Sequence, residues 1–329
     1  MTPLLEMAGV SRHYRQRGDL ASRLYLRPAP VVRAVDGVDL TIGRGERFGL
    51  IGESGCGKST LGRLALRLRE PTAGTVRFGG IDLAKLGAAE LAALRPRMQI
   101  VFQDPYASLN PRRSVEEIVG LPLRLHRPGT ARERRARVVE ALEWVGLGAQ
   151  HLHRYPHEFS GGQRQRIGIA RALVLRPEFL VCDEPVSALD VSIQAQILEL
   201  LERLRVEFGL ATLFISHDIA VVARLSDRIG VMYLGRIVET GPTRQVIAAP
   251  VHPYTKALLA SVPRLERTGG ARVRLAGEPP SAVAPPSGCG FRTRCPLAVA
   301  RCSQVAPALA DLAPGRRVAC HRAAESAAA

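Results

Sequence analysis

The sequence predicts an α/β fold built on a mainly parallel core sheet, and three observations carry that prediction. Short apolar runs alternate with helical stretches along the chain. A glycine-rich loop, residues 52–59, joins the apolar strand Arg47–Ile51 to a helix. A second apolar strand, Phe179–Cys182, runs straight into two carboxylates, Asp183 and Glu184.

The elements follow in order. Residues 4–10 read as a first strand, and residues 15–33, arginine-rich with Pro28 and Pro30, as an exposed excursion. Val38–Ile42 alternates apolar and polar residues, as a half-buried strand does. Thr60–Arg69 carries helix formers and stops before Pro71. Residues 114–175 are mostly helical, with breaks at Pro128-Gly129 and Tyr155-Pro156. Val191–Phe208 is an amphipathic helix closed by Gly209. Thr212–Ile215 is a strand, and residues 229–233 and 236–239 flank a Leu234-Gly235 turn as a hairpin. After Pro250 the chain becomes proline-rich and holds four of the six cysteines. The expected division is therefore a domain over 1–250, with a helical subdomain at about 104–175, and a C-terminal extension over 251–329.

Composition narrows the class. In 329 residues, 46% are hydrophobic and 23% charged, enough apolar material for a sizeable core. The formal charge is +16, and only Lys58, Lys85 and Lys256 of the basic residues are lysines. So one-sided an arginine bias reflects nucleotide composition as much as function, and a solvated arginine-rich surface accounts for it. No zinc-finger or RNP pattern favours nucleic acid. No run of about 18 uncharged apolar residues predicts a span. The N-terminus lacks the basic and apolar regions of a signal peptide, so the chain is expected inside the cell unless another subunit holds it at a membrane.

The loop Gly52-Glu53-Ser54-Gly55-Cys56-Gly57-Lys58-Ser59, followed by Thr60, fits G-x-x-x-x-G-K-[ST]. Glycines let the backbone curl until several N–H groups face one phosphate. The helix after it adds its positive end. Lys58 is placed to reach the β- and γ-phosphates, and the Ser59 hydroxyl to ligate Mg²⁺. Asp183, at a strand end, suits Mg²⁺, and Glu184 suits orienting or deprotonating the attacking water.

With Ser160-Gly161-Gly162-Gln163 the sequence resembles the ABC ATPase family, whose signature is LSGGQ; Phe159 replaces the usual leucine. The resemblance covers about residues 4–245 and implies a P-loop NTPase fold with a parallel core sheet, an antiparallel β subdomain and a helical subdomain. It further implies head-to-tail pairing, each ATP lying between one subunit's glycine loop and its partner's signature. Tyr14 matches the aromatic that stacks on adenine. Gln103 matches the glutamine that touches Mg²⁺ or water. Ser187-Ala188-Leu189-Asp190 matches the loop that communicates across the dimer, and His217 matches the histidine that contacts the γ-phosphate.

A narrower resemblance is to the ATPase subunits of oligopeptide/dipeptide importers. It rests on residues 103–111 and 188–196, and on a tail with His252-Pro253-Tyr254-Thr255, Gly277-Glu278-Pro279-Pro280 and the segment from Cys289 to Pro296. This implies a peripheral place on the cytoplasmic face of the inner membrane. The implied partners are a second ATPase, like or unlike, two permeases and an extracytoplasmic binding protein, with no nucleic acid. Nickel-chelate and glutathione importers share the tail, so the solute stays open. Soluble ABC ATPases of translation or DNA repair carry two ATPase domains or a long coiled coil; this chain has one glycine loop and no sustained heptads. A basic nucleic-acid module with a regulatory ATP site is the rival from another class. Cys289, Cys295, Cys302 and Cys320 stand with 5, 6 and 17 residues between them. Clustered thiols suit a soft metal, [4Fe–4S] or zinc, or stay reduced without one; some relatives hold a [4Fe–4S] cluster at this pattern. Cys56 and Cys182 read as small buried fillers.

Overall fold

The computed structural model describes residues 2–15, 30–126, 129–261 and 277–328. Its strands in chain order are β1 (Leu5–Arg15), β2 (Val31–Ile42), β3 (Arg47–Ile51), β4 (Ala73–Phe78), β5 (Ile81–Asp82) and β6 (Met98–Val101), then β7 (Phe179–Asp183), β8 (Ala211–Ile215), β9 (Arg228–Tyr233), β10 (Arg236–Pro242), β11 (Ala310–Ala313) and β12 (Arg316–Val318). They divide between two compact units, each assembled from several stretches of chain.

The first unit comprises Met1–Leu4, Ile42–Arg47 and Gly79–Ile215. Its strands β6, β7 and β8 are parallel: Met98 of β6 lies opposite Phe179 of β7, and Asp183 of β7 opposite Ile215 of β8. Every residue of β7 and β8 is buried, which is why both read as unbroken apolar runs rather than alternating ones. The helical stretch resolves into Val115–His126, Ala131–Trp144 and Gly161–Leu173. The second begins in a capping box: Thr130 Oγ1 accepts from Glu133 N, and Glu133 Oε2 accepts from Thr130 N. The helix Val191–Phe208 buries Ile197, Leu200, Leu201 and Leu204 and ends at left-handed Gly209. Part of the arginine excess has a structural task here. Beyond the end of helix Ala131–Trp144, Arg203 Nη2 donates to Trp144 O and Arg166 Nη1 to Val145 O, both at 2.7 Å. Cations at a helix C-terminus satisfy its orphan carbonyls and its negative pole together.

The second unit comprises Leu5–Thr41, Phe48–Phe78 and Ser216–Ala329. β1 and β4 pair antiparallel, Leu5 opposite Phe78, with a register shift between Ala8 and Ser11. β3 runs parallel to β9, Ile51 opposite Val231, and β9 turns through Leu234 and Gly235 into β10. Both turn residues have positive φ, 43° and 79°, the geometry that matches strand twist in a two-residue hairpin. β12 then adds to β10, Glu239 opposite Val318, and β11 to β12.

Several expectations shift. β2 begins at Val31 rather than Val38, and the helix after the glycine loop spans Lys58–Ala65 rather than Thr60–Arg69. Within the helical stretch 114–175, the signature helix spans Gly161–Leu173 with Ser160 as its cap. β4, β6, the helix Ala88–Leu94 and the tail strands β11 and β12, of 6, 4, 7, 4 and 3 residues, are too short for a period to stand out locally. The sequence boundary at 250 falls inside the second unit. Most of the arginine-rich excursion, residues 16–29, and Pro128 lie outside the described residues.

Candidate active site

The glycine loop leaves β3 in the second unit. Gly52, Gly55 and Gly57 all have positive φ, 155°, 77° and 108°. A Cβ at Gly52 would stand 2.2 Å from Met232 O, and one at Gly57 2.0 Å from Ala34 O, so two of the three positions exclude any side chain on space alone. Lys58, 4% exposed, opens the helix, and its Nζ donates to Gly52 O at 2.8 Å and Glu53 O at 3.0 Å. The lysine therefore reaches back across the curl of the loop. Gly235 N donates to Cys56 O at 2.9 Å, tying the loop to the β9–β10 turn. Burial raises the Cys56 thiol pKa, consistent with a filler. Ser54 is exposed and Ser59 and Thr60 are half-buried.

Two further contacts reach this loop from residues of the tail motifs, to which the sequence assigns no place at the loop. Glu53 N donates to Tyr254 Oη at 2.8 Å. Arg294 grips the Glu53 carboxylate with both terminal nitrogens, Nη1 to Oε2 at 2.9 Å and Nη2 to Oε1 at 3.0 Å. That carboxylate raises the Arg294 pKa further above its ordinary value. Nothing local marks these pairs, which join positions 201 and 241 residues apart.

In the first unit the parallel register does the positioning. Val101 of β6 lies opposite Cys182 of β7, so two residues further on Gln103 comes beside Glu184. Gln103 Nε2 donates to Glu184 Oε2 at 3.0 Å. Asp183 is 2% exposed, while Glu184 is half-buried with φ 47°, its N donating to Ile215 O at 3.0 Å. A glutamate held in the left-handed region is costly, and such strain concentrates at functional positions. Burial, then the Asp183 charge, push the Cys182 thiol up to about 12, so it stays neutral.

Ser160 caps the helix Gly161–Leu173: its Oγ accepts from Gln163 N at 3.3 Å and its N donates to Gln163 Oε1 at 3.1 Å. A Cβ on Gly162 would lie 2.5 Å from Ile193 Cγ2, so the glycine lets this helix approach the helix Val191–Phe208. Phe159, 4% exposed, fills the leucine position of the signature with the Arg154 guanidinium 4.6 Å above its ring. Asp190 stands exposed at the start of Val191–Phe208, and His217 is exposed two residues past β8. Tyr14, half-exposed near the end of β1, has the Arg12 guanidinium 4.7 Å from its ring centre. The glycine loop, Tyr14 and His217 belong to the second unit; Gln103, Asp183, Glu184, the signature and Asp190 belong to the first.

The four tail cysteines are free thiols. Burial raises the pKa of Cys289, Cys295 and Cys320, and each also feels the charge of neighbouring thiols in the set. Cys289 N donates to Cys302 O at 2.8 Å. Yet among the described residues no group of three or more His, Cys, Asp or Glu is placed to hold a metal ion. The soft-metal expectation thus finds its thiols gathered without a ligand geometry. No helix among the described residues is long and apolar enough to cross a membrane.

Comparison with known proteins identifies the family. The ABC transporter family matches residues 35–187, and the oligopeptide/dipeptide transporter C-terminal region matches residues 238–302. The chain is 52% identical to the putative oligopeptide transport ATP-binding protein YkfD of Bacillus subtilis, over 97% of this chain and 95% of that one. It is 50% identical to the oligopeptide transport ATP-binding protein AppF of the same organism, over 97% of each chain. Among solved structures, the dimeric ABC transporter cassette MJ0796 in a post-hydrolysis state bound to ADP and Pi aligns with TM-score 0.63 and 31% identity, over 73% of this chain and 99% of that one. With its glycine loop and strand-end carboxylates intact, the chain belongs to the ABC transporter ATP-binding subunits of the oligopeptide/dipeptide group, and is an ATPase.

Proposed function

We propose that this ATPase powers peptide uptake through a transporter made of two ATPase chains and two membrane permeases fed by a binding protein, itself sitting peripherally on the cytoplasmic face of the inner membrane. The observation that carries the reading is the match of residues 238–302 to the oligopeptide/dipeptide transporter C-terminal region, on a chain whose ATPase motifs are complete.

Phosphoryl transfer needs positioning and charge neutralisation more than covalent help. In this reading the amides of residues 52–60 form a phosphate cradle, Lys58 is the cation on the β- and γ-phosphates, Tyr14 stacks under the adenine, and His217 contacts the γ-phosphate. Glu184 polarises the attacking water, with Gln103 fixing the Glu184 carboxylate through the bond between them. Ser160, Gly161, Gly162, Gln163 and Asp190 act on the ATP of the partner ATPase. Ser59, Gln103 and Asp183 offer hydroxyl, amide and carboxylate oxygens, the hard donor set that Mg²⁺ takes. Bound there, Mg²⁺ would offset charge on the β- and γ-phosphate oxygens.

The test is Glu184→Gln in the assembled complex. The variant should bind ATP and lose about 10²–10³ of the turnover, the usual cost of one preorganised polar group. Turnover at the parental rate rejects Glu184 as the water-activating residue. For the solute, cells lacking this chain should lose uptake of labelled di- and oligopeptides. Intact peptide uptake with lost uptake of a nickel chelate or glutathione would move the assignment. The metal reading of the four thiols is a separate proposal resting on the thiol set alone, and no step of ATP hydrolysis runs through it. Anaerobic purification and an absorbance scan test it, a colourless, iron-free protein rejecting the cluster.

A further inference from the structure

We propose that the C-terminal segment is a positioning element of the ATP site, with Arg294 and Tyr254 holding Glu53 and, through it, the backbone of the glycine loop. The inference rests on the reading of residues 52–59 as the phosphate cradle. It goes beyond that reading by assigning a part of the tail a role in nucleotide affinity.

Glycines that let the loop curl also leave it free to uncurl, so a working cradle needs anchors from outside. Glu53 is where such anchors can attach, as the first loop residue with a side chain. Its amide is engaged by the Tyr254 hydroxyl at 2.8 Å, and its carboxylate by the planar fork of Arg294 at 2.9 and 3.0 Å. A paired fork fixes both distance and orientation, which a point charge does not. The Arg294 side chain is only 4% exposed, so the pair is shielded from water on the arginine side.

The anchors are themselves fixed. Tyr254 and Phe291 are fully buried with ring centres 5.5 Å apart, and Tyr233 meets Phe291 edge-on at 5.4 Å. Successive turns carry the chain from Phe291 to Arg294: Arg292 N donates to Cys289 O at 3.1 Å and Arg294 N to Phe291 O at 2.9 Å. The aromatic cluster therefore sets the place of Arg294 before it meets Glu53. Neither residue is assigned a contact with nucleotide. Their contribution is preorganisation, which stabilises ground and transition states of bound ATP alike and is read in KM rather than kcat.

Steady-state ATPase kinetics of the assembled complex test this, with Arg294→Gln, Arg294→Lys, Tyr254→Phe, Glu53→Gln and the double variant of Arg294→Gln with Glu53→Gln. Arg294→Gln should raise KM for ATP about tenfold, what one charge-assisted pair is worth, with kcat within about twofold. Arg294→Lys, keeping charge without the fork, should recover part of that loss. The double variant should match the worse single variant, since the two groups act as one pair. A parental KM in Arg294→Gln, effects that multiply in the double variant, or a loss confined to melting temperature overturns the proposal while leaving the ATP site standing. Should Arg294→Gln fail to assemble, Tyr254→Phe, which keeps its ring in the cluster, decides alone: a raised KM supports the proposal and a parental KM overturns it. A wild-type complex without magnesium-dependent ATP turnover would remove the ATP-site reading and this inference together.

Discussion

Two glycines of one loop should tolerate alanine very differently. Gly55 has φ 77° and open space where a Cβ would go; Gly57 has φ 108° and the Ala34 carbonyl oxygen 2.0 Å from that point. Alanine at Gly55 bears only the backbone cost of the left-handed region, about 1 kcal/mol. Alanine at Gly57 bears a backbone cost of about 1–3 kcal/mol. It must also force the loop and β2 apart by roughly 1 Å, an overpacking cost of about 1–3 kcal/mol. β2 yields poorly there, because Asp36 N donates to Gly235 O at 2.9 Å and the same turn holds Cys56. The two costs together come to about 4 kcal/mol, so the variants should differ by about 3 kcal/mol, or about 4 °C in melting temperature for a chain of this size. Thermal melts of the two purified variants beside the parent measure it, compared as midpoints because two compact units need not unfold in one step. ATP affinity should fall further in Gly57→Ala, since Gly57 caps the helix that Lys58 opens. Gly55→Ala melting at or below Gly57→Ala would refute the steric argument and the loop geometry behind it.

Two further outcomes follow from the buried polar groups of the second unit. His252 is fully buried and burial lowers its pKa to about 3, so the folded chain keeps it neutral while the unfolded chain takes a proton below about 6.5. Stability should be complete above that pH and fall as pH drops from there toward 3, by up to about 1.4 kcal/mol per unit. His252→Asn retains an acceptor for Tyr254 N and should flatten urea midpoints between pH 6 and pH 4; an unchanged slope rules the histidine out. Glu239, wholly buried, accepts from Val251 N, His252 N and Arg316 Nη2, the last at 2.8 Å. Arg316→Met should cost about 3 kcal/mol in urea denaturation, the penalty for stranding one partner of a buried pair, and a loss under about 1 kcal/mol would show that the two amides suffice.

What the sequence discloses here follows from how local each feature is. β7 and β8 are legible because parallel strands buried on both faces need unbroken apolar runs, and the glycine loop because its glycines take the positive φ that other residues rarely adopt. The hairpin at Leu234-Gly235 announces itself by its glycine. The Gln103–Glu184 bond is legible only in part: both residues stand out, but their meeting depends on the β6–β7 register. β4 and β12 are short and carry arginines, so their sheet places come from partners elsewhere in the chain. Tyr254 and Arg294 lie in the tail motifs that carry the importer resemblance, but nothing in those motifs shows that they meet Glu53.

The same contrast explains why the tail belongs to the ATPase rather than hanging from it. A cradle made from glycine amides gains affinity for phosphate only in so far as something else holds those amides still. Lys58 does this from within, through the carbonyls of Gly52 and Glu53. Further anchors come from later in the chain: Gly235 on Cys56, Tyr254 on the Glu53 amide, Arg294 on the Glu53 carboxylate. If these contacts favour the ATP-binding form of the loop, ATP must favour the contacts by the same free energy. A tail so linked cannot be exchanged freely between ATPases, because the residue it must grip sits inside the phosphate loop itself. Substitution at Glu53 and change in the turn between Cys289 and Cys295 are therefore one structural problem, solved at two places in the sequence.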